Sequence, residues 1–103
     1  MNENLWHRIC TSSELVEGTR LGKYIKGQDI LIFKIGNEIF AYEDRCPHAG
    51  APLVDGRLYE GKLTCRHHQW QFDVRTGASI RPRGSKLKSY PTKIESGDIF
   101  VNL

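Results

Sequence analysis

The sequence predicts an all-β protein made of short antiparallel strands. Ten glycines are spread through its 103 residues, and most of them separate short apolar runs. Such punctuation is typical of strands joined by tight turns. Only Ser12-Ser13-Glu14-Leu15 suggests a helix, because the hydroxyls could cap a single turn, and no longer amphipathic segment follows. A chain of this length has room for one modest core, so we expect a single domain over residues 1–103.

The first strand and the clearest hairpin lie in the N-terminal half. Cys10 belongs to an apolar first strand, where its thiol is expected to be buried. Further along, the apolar runs at residues 30–35 and 38–42 flank Gly36-Asn37. Glycine and asparagine both tolerate the positive φ angles that tight two-residue turns require. We therefore expect these two runs to form a hairpin.

Three further strand signals follow in the C-terminal half. Glycine-containing turns predict two more hairpins, one pairing residues 58–59 with 62–64 and the other pairing residues 93–95 with 98–101. Between them, apolar and polar side chains alternate over residues 70–74, which indicates a strand with one buried face. The last hairpin is expected to close the sheet system.

Charge and hydropathy narrow the possible functions. The net charge is +3, but acidic residues are scattered among the basic ones, a pattern typical of a solvated surface. Nucleic-acid binding is therefore not expected. The chain has no apolar run of the roughly 20 residues that a membrane span needs, and its first residues lack the features of a secretory signal. We expect a cytoplasmic protein with no membrane passage.

The candidate functional residues lie in two short segments that each combine cysteine with histidine. These segments are Cys46-Pro47-His48 and Cys65-Arg66-His67-His68. Without an export signal, the three cysteines of the chain favour a metal site plus one remaining thiol, Cys10, over a disulfide framework. Thiolate and imidazole together suit either zinc or an iron–sulfur cluster.

The order of the donors separates these two possibilities. Zinc fingers pair cysteine with cysteine and histidine with histidine, whereas this chain pairs cysteine with histidine twice. In a Rieske [2Fe–2S] centre two histidines replace two cysteines on one of the irons. The spacing therefore favours such a cluster, held by Cys46, His48, Cys65 and either His67 or His68.

The chain resembles the Rieske ferredoxins over nearly its whole length. His48-Ala49-Gly50-Ala51-Pro52-Leu53 is similar to that family's first cluster loop, and residues 80–84 fall where the family has a proline-containing loop. The resemblance implies the Rieske fold, an antiparallel β sandwich with a small cluster-binding subdomain at about residues 46–84. It also implies that His68 is the fourth ligand and that His67 is an exposed neighbour. Trp70 is expected to be a core residue close to the cluster.

The same resemblance implies a soluble carrier of low potential. Two ferric ions, two sulfides, two thiolates and two neutral imidazoles sum to zero charge. The cluster therefore accepts an electron more easily than a cluster held by four thiolates. High-potential respiratory members of the family carry an extra cysteine in each loop, and this chain has none. It also lacks any motif for a substrate site, so we expect an electron-transfer component and not an enzyme.

The partners implied by the resemblance are a flavin-containing reductase and the terminal hydroxylase of a multicomponent bacterial oxygenase, bound transiently by a monomer. The second loop is closer to the ferredoxins of toluene-type diiron monooxygenases than to those of ring-hydroxylating dioxygenases. Arg45 and Arg66 could steer docking onto an acidic partner surface. Two alternatives remain open: the small Rieske-like subunit of an assimilatory nitrite reductase, and a zinc-stapled interaction module.

Overall fold

The chain folds into short antiparallel strands with a single 3-10 turn among the residues described. The computed structural model describes residues 5–47, 50, 52–66, 69–81 and 83–103. The turn spans Ser12–Glu14. The strands are β1 (Trp6–Thr11), β2 (Arg20–Ile25), β3 (Gln28–Ile35), β4 (Glu38–Glu43), β5 (Arg57–Tyr59), β6 (Lys62–Thr64), β7 (Gln71–Asp73), β8 (Ser79–Arg81), β9 (Ser89–Tyr90), β10 (Thr92–Glu95) and β11 (Asp98–Asn102). The all-β prediction is confirmed.

These strands form three antiparallel sheets. We call them the terminal sheet, in the order β1-β11-β10, the central sheet, in the order β2-β3-β4-β9, and the distal sheet, in the order β5-β6-β7-β8. The distal sheet is formed by one continuous part of the chain, inserted between β4 and β9. All three predicted hairpins are present, as β3-β4, β5-β6 and β10-β11.

Strand β3 is buried on both of its faces. Ile30 and Ile32 belong to the apolar cluster shared with the terminal sheet, whereas Leu31 and Phe33 belong to the cluster shared with the distal sheet. All four side chains have no solvent exposure, and burying each stabilises the fold by roughly 1.5–3 kcal/mol. The apolar run that predicted a hairpin strand is continuous because this strand lies between two cores and is buried by both.

The turn between β3 and β4 differs in one detail from expectation. Gly36 has φ +62°, but Asn37 is not among the described residues with positive φ. A two-residue turn that needs positive φ only at its first position is the type that favours glycine there. In the other two-residue hairpin turns both residues have a positive φ angle, such as +49° at Glu60 and +76° at Gly61.

Two local predictions need correction. The strand expected over residues 70–74 is shorter, Gln71–Asp73, although Phe72 and Val74 are buried on one side as predicted. The helical turn begins after Thr11 and is held by the Glu14 carboxylate, which accepts the Thr11 N–H at 2.9 Å. An acidic side chain that reaches back in this way satisfies a donor that the turn itself leaves free.

Three strands were not predicted, namely β2, β8 and β9. Cys10 is buried as expected, and burial raises the pKa of its thiol. Pro82, part of the predicted proline loop, lies outside the described residues. Within the described ranges, no helix is long and apolar enough to cross a membrane.

Candidate metal centre

Two of the predicted ligands lie together in the core between the central and distal sheets. Cys46 comes shortly after β4 and Cys65 directly after β6. Both thiols are fully buried, neither forms a disulfide, and both belong to one apolar cluster. The buried side chains around them are Leu31, Phe33, Tyr42, Leu53, Leu63, Phe72, Val74 and Leu87. The fold therefore brings the two cysteines of the motif into one water-poor environment.

The histidines of the motif are not described by the structure. His48 and His68, predicted as ligands, lie outside the described residues, as does His67. The assignment of these imidazoles as ligands therefore stays a prediction. The structure does describe the ends of two segments, residues 44–54 and 65–70, which we call the first and the second ligand loop.

The first loop is closed by hydrogen bonds at both of its ends. Gly50 donates its N–H to the carbonyl of Cys46 at 2.7 Å and has φ +72°, so the chain turns at this glycine. Before the ligands, Asp44 Oδ1 accepts the N–H groups of Leu53 at 2.5 Å and of Val54 at 2.9 Å. Burial raises the pKa of the Asp44 carboxyl, although these two hydrogen bonds act against the rise.

The second loop is closed by a backbone hydrogen bond between its first and last residues. Cys65 donates its N–H to the carbonyl of Trp70 at 2.7 Å, which brackets the residues between them. Gln69 has φ +59° and, unlike the other described non-glycine residues with positive φ, is not followed by glycine. Such backbone conformations cost free energy and occur often at ligand sites. Trp70 is half-buried and packs against the core near Phe72, with ring centroids 6.5 Å apart.

Close backbone packing fixes the position of the second cysteine. A Cβ atom at Gly56 would lie 2.5 Å from the carbonyl oxygen of Thr64 and 3.0 Å from that of Leu53. Only glycine therefore lets these backbone segments approach each other. Cys65 follows Thr64 directly and lies in the wall of a cavity of about 370 Å³.

The outer face of the distal sheet beside this cavity is polar and carries several cations. A second cavity of about 310 Å³ shares Arg57, Thr64 and Gln69 with the first. Arg66 lines the first cavity and Lys62 the second, and both of these side chains are exposed. Cys65 thus lies between an apolar core on one side and an exposed polar surface on the other, where the cations stand beside Asp55 and Glu60.

Tyr42 connects the two sheets that enclose the cysteines. Its hydroxyl donates to the carbonyl oxygen of Val74 at 2.8 Å, joining β4 to the end of β7. Burial, with a contribution from Asp73, raises the pKa of Tyr42 to about 12. A Cβ atom at Gly77 would lie 2.8 Å from the tyrosine ring, so the turn after β7 packs closely against it.

The donor chemistry of the described residues suits an iron–sulfur cluster. Two buried cysteines without a disulfide in an apolar core are soft donors kept from water, and thiolates hold such clusters in proteins. Sequence reasoning found these cysteines but not the roles of Asp44 and Tyr42. The signal for Asp44 was its place directly after a strand and before the ligand loop, where aspartate often accepts backbone N–H groups.

Comparisons with known proteins place this chain among iron–sulfur proteins. Residues 5–91 match the Rieske [2Fe-2S] domain. The chain is 32% identical to the ferredoxin component of the naphthalene 1,2-dioxygenase system of Pseudomonas putida, with 95% of each chain covered. It is 34% identical to the ferredoxin component of the alkene monooxygenase system of Xanthobacter autotrophicus, covering 90% of this chain and 77% of that one.

A solved structure gives the same result for the fold. The ferredoxin of carbazole 1,9a-dioxygenase from Nocardioides aromaticivorans IC177 superimposes with a TM-score of 0.88 at 25% identity. The superposition covers 96% of this chain and 98% of the other. The similarity therefore extends over all three sheets.

Proposed function

Because the chain belongs to the Rieske [2Fe-2S] family, we propose that it carries single electrons from a flavin-containing reductase to the terminal hydroxylase of a multicomponent, aromatic-hydrocarbon oxygenase system. It is an electron-transfer component with one Rieske-type cluster, not a catalytic subunit. The observation that supports this role best is the pair of buried, disulfide-free cysteines in one core, beside an exposed polar surface that includes Arg66.

The proposed ligands are Cys46 and Cys65 to one iron and His48 and His68 to the other. When bound, the cluster would supply one-electron redox chemistry, at a potential of roughly −150 to +300 mV for the family as a whole. The chain's own part is to bind it and to limit its contact with water. We place the cluster-binding subdomain at about residues 46–84 of a single domain, a range that contains the whole distal sheet.

The low end of that potential range fits this chain. Neither ligand loop contains a second cysteine, so no disulfide can join the two loops. The only other cysteine, Cys10, is buried in the separate core between the terminal and central sheets. Hydrogen bonds to sulfur and solvent exposure then adjust the potential within the range.

Partner and location follow from the same role. A carrier that docks in turn on a reductase and a hydroxylase works best as a cytoplasmic monomer with one exposed docking surface, for which Arg45 and Arg66 are suitably exposed. Relatives of similar identity serve a dioxygenase and a monooxygenase, so the preference for a toluene-type monooxygenase stays a prediction. Neither the nitrite reductase subunit nor the zinc module is favoured by these comparisons.

An electron-transfer assay with purified components tests the proposal. The protein with its cluster is mixed with NADH and the flavin reductase of the naphthalene dioxygenase system, and reduction is followed by absorbance and low-temperature EPR. Adding the terminal oxygenase and naphthalene should then give product that depends on this chain. A colourless protein containing zinc, or a reduced protein that passes no electron to the oxygenase of either the naphthalene or the alkene system, would contradict the proposed function.

A further inference from the structure

The carboxylate of Asp44 joins the two ends of the segment that contains the first ligand pair. Its Oδ1 atom accepts two successive backbone N–H groups, from Leu53 at 2.5 Å and from Val54 at 2.9 Å. Cys46 and the proposed ligand His48 lie on the chain between these contacts. A single oxygen atom that serves two neighbouring donors fixes both the separation and the direction of the two ends.

This contact is anchored on the central sheet from both sides. The Asp44 N–H donates to the carbonyl of Asp29 at 2.9 Å, and the carbonyl of Val54 accepts the Arg20 Nε–H at 3.0 Å. Gly22 of β2 lies against the contact, because a Cβ atom there would be 3.4 Å from both Asp44 Oδ2 and a methyl group of Val54. The Asp44 contact thus ties the first ligand loop to β2 and to the start of β3.

We propose that Asp44 is a positioning residue that holds the first ligand loop in shape for the cluster, through the place of its Oδ1 atom and not through its charge. The buried side chains of Cys46 and Leu53 hold the two ends of this segment in the core, and the Gly50 bond to the Cys46 carbonyl closes its first turn; the Asp44 contact is what joins the two ends through the backbone. With the Asp44 contact in place, the loop is closed before it meets the cluster, so binding the cluster costs less ordering of the chain.

Two conservative variants separate position from charge. Asp44→Asn keeps an acceptor oxygen in the same place and removes the charge, whereas Asp44→Glu keeps the charge and displaces the acceptor by one methylene. Asp29→Asn is the matched control, because Asp29 contacts Asp44 through its backbone carbonyl and the variant removes a nearby charge without removing an acceptor. All three leave the apolar core untouched.

The readouts do not depend on any partner protein. They are the half-life of the cluster absorbance under mild chelation, the line width of the EPR signal after reduction, and hydrogen exchange of the peptide containing the Leu53 and Val54 amides. We expect Asp44→Glu to shorten the half-life at least fivefold, broaden the signal and speed the exchange. Asp44→Asn should stay within about twofold of the original protein in all three, as should Asp29→Asn.

The reverse pattern, in which Asp44→Asn loses the cluster quickly and Asp44→Glu does not, would show that the charge is what matters and overturn the inference. Equal, unchanged behaviour of both variants would overturn it as well. Because the inference concerns the cofactor and not the partners, a failure to reduce any oxygenase would leave it standing while removing the proposed function.

Discussion

His67 and His68 are adjacent residues with very different expected roles. Both follow Cys65 within three positions, so spacing from that cysteine alone does not separate them. The family pattern assigns the cluster to His68. In the described part of the chain, Gln69 is held at φ +59° and the Cys65 N–H bonds to the Trp70 carbonyl, and both histidines lie in the sequence between these two bonded residues.

Substitution of each histidine checks this assignment. His68→Ala should abolish the Rieske EPR signal, because one iron loses a ligand, whereas His67→Ala should retain the signal and about two irons per chain. The measurement is EPR after reduction, with iron and sulfide assayed on the same sample. If His67→Ala removes the signal and His68→Ala keeps it, the ligand assignment is wrong.

Single residues show how far the sequence alone could lead. The sequence singled out Cys46 and Cys65 because thiolate chemistry and motif spacing are both visible in a short stretch of sequence, and the structure buries both in one core. Asp44 was missed, since its importance comes from two backbone N–H groups at positions 53 and 54. Its place directly after a strand favours a backbone contact, but the sequence does not show which N–H groups the side chain meets.

At the scale of elements, strands β4 and β7 are connected by one buried side chain. The hydroxyl of Tyr42 in β4 donates a hydrogen bond to the carbonyl oxygen of Val74, directly after β7. Tyr42→Phe removes the donor and leaves that carbonyl without it, which should lower the free energy of unfolding by about 1–3 kcal/mol. Urea unfolding measures the loss, and Tyr59→Phe, at an exposed tyrosine, should change little.

The same tyrosine predicts a pH dependence. Because the pKa of Tyr42 is about 12 in the folded protein and near 10 when exposed, the folded state holds this proton more tightly. Its contribution to stability is complete below about pH 10 and is lost as the pH rises towards 12. Tyr42→Phe should therefore lose less stability over this range than the original protein. An equal loss in both would show that other groups, such as Tyr90, account for it.

The hairpins that the sequence predicted are each marked by a local turn. Each predicted hairpin is defined by its own turn, as with residues Glu60-Gly61 between β5 and β6. The missed strand β9 pairs with β4 at only two positions, Ala41 with Tyr90 and Tyr42 with Ser89. Pairing of this kind depends on segments far apart in the chain, so a local pattern does not reveal it.

At the scale of the whole molecule, charge near the cluster should govern how partners meet this protein. Arg66 is exposed beside Cys65 and lines the cavity there. Arg66→Glu should slow electron transfer to the oxygenase by about three- to tenfold at low salt and flatten the salt dependence, since attraction across the contact is lost. Stopped-flow rates over a range of salt concentrations measure both effects.

Lys23→Glu is a suitable control for this experiment. Lys23 is an exposed cation on β2 of the central sheet, and its reversal changes the net charge by the same amount. The control should leave the rates nearly unchanged. Equal slowing by both variants would mean that net charge, and not the surface beside Cys65, controls the encounter.

The two cores of the molecule also bear on how the protein is made. Neither of the described ligands proposed, Cys46 and Cys65, belongs to the core between the terminal and central sheets, which is formed by side chains such as Ile30, Ile32, Ile99 and Val101. We therefore expect this core to pack without the cluster. The terminal and central sheets would then form before the cluster is inserted. Protein made when iron is scarce should therefore still be able to take up a cluster later.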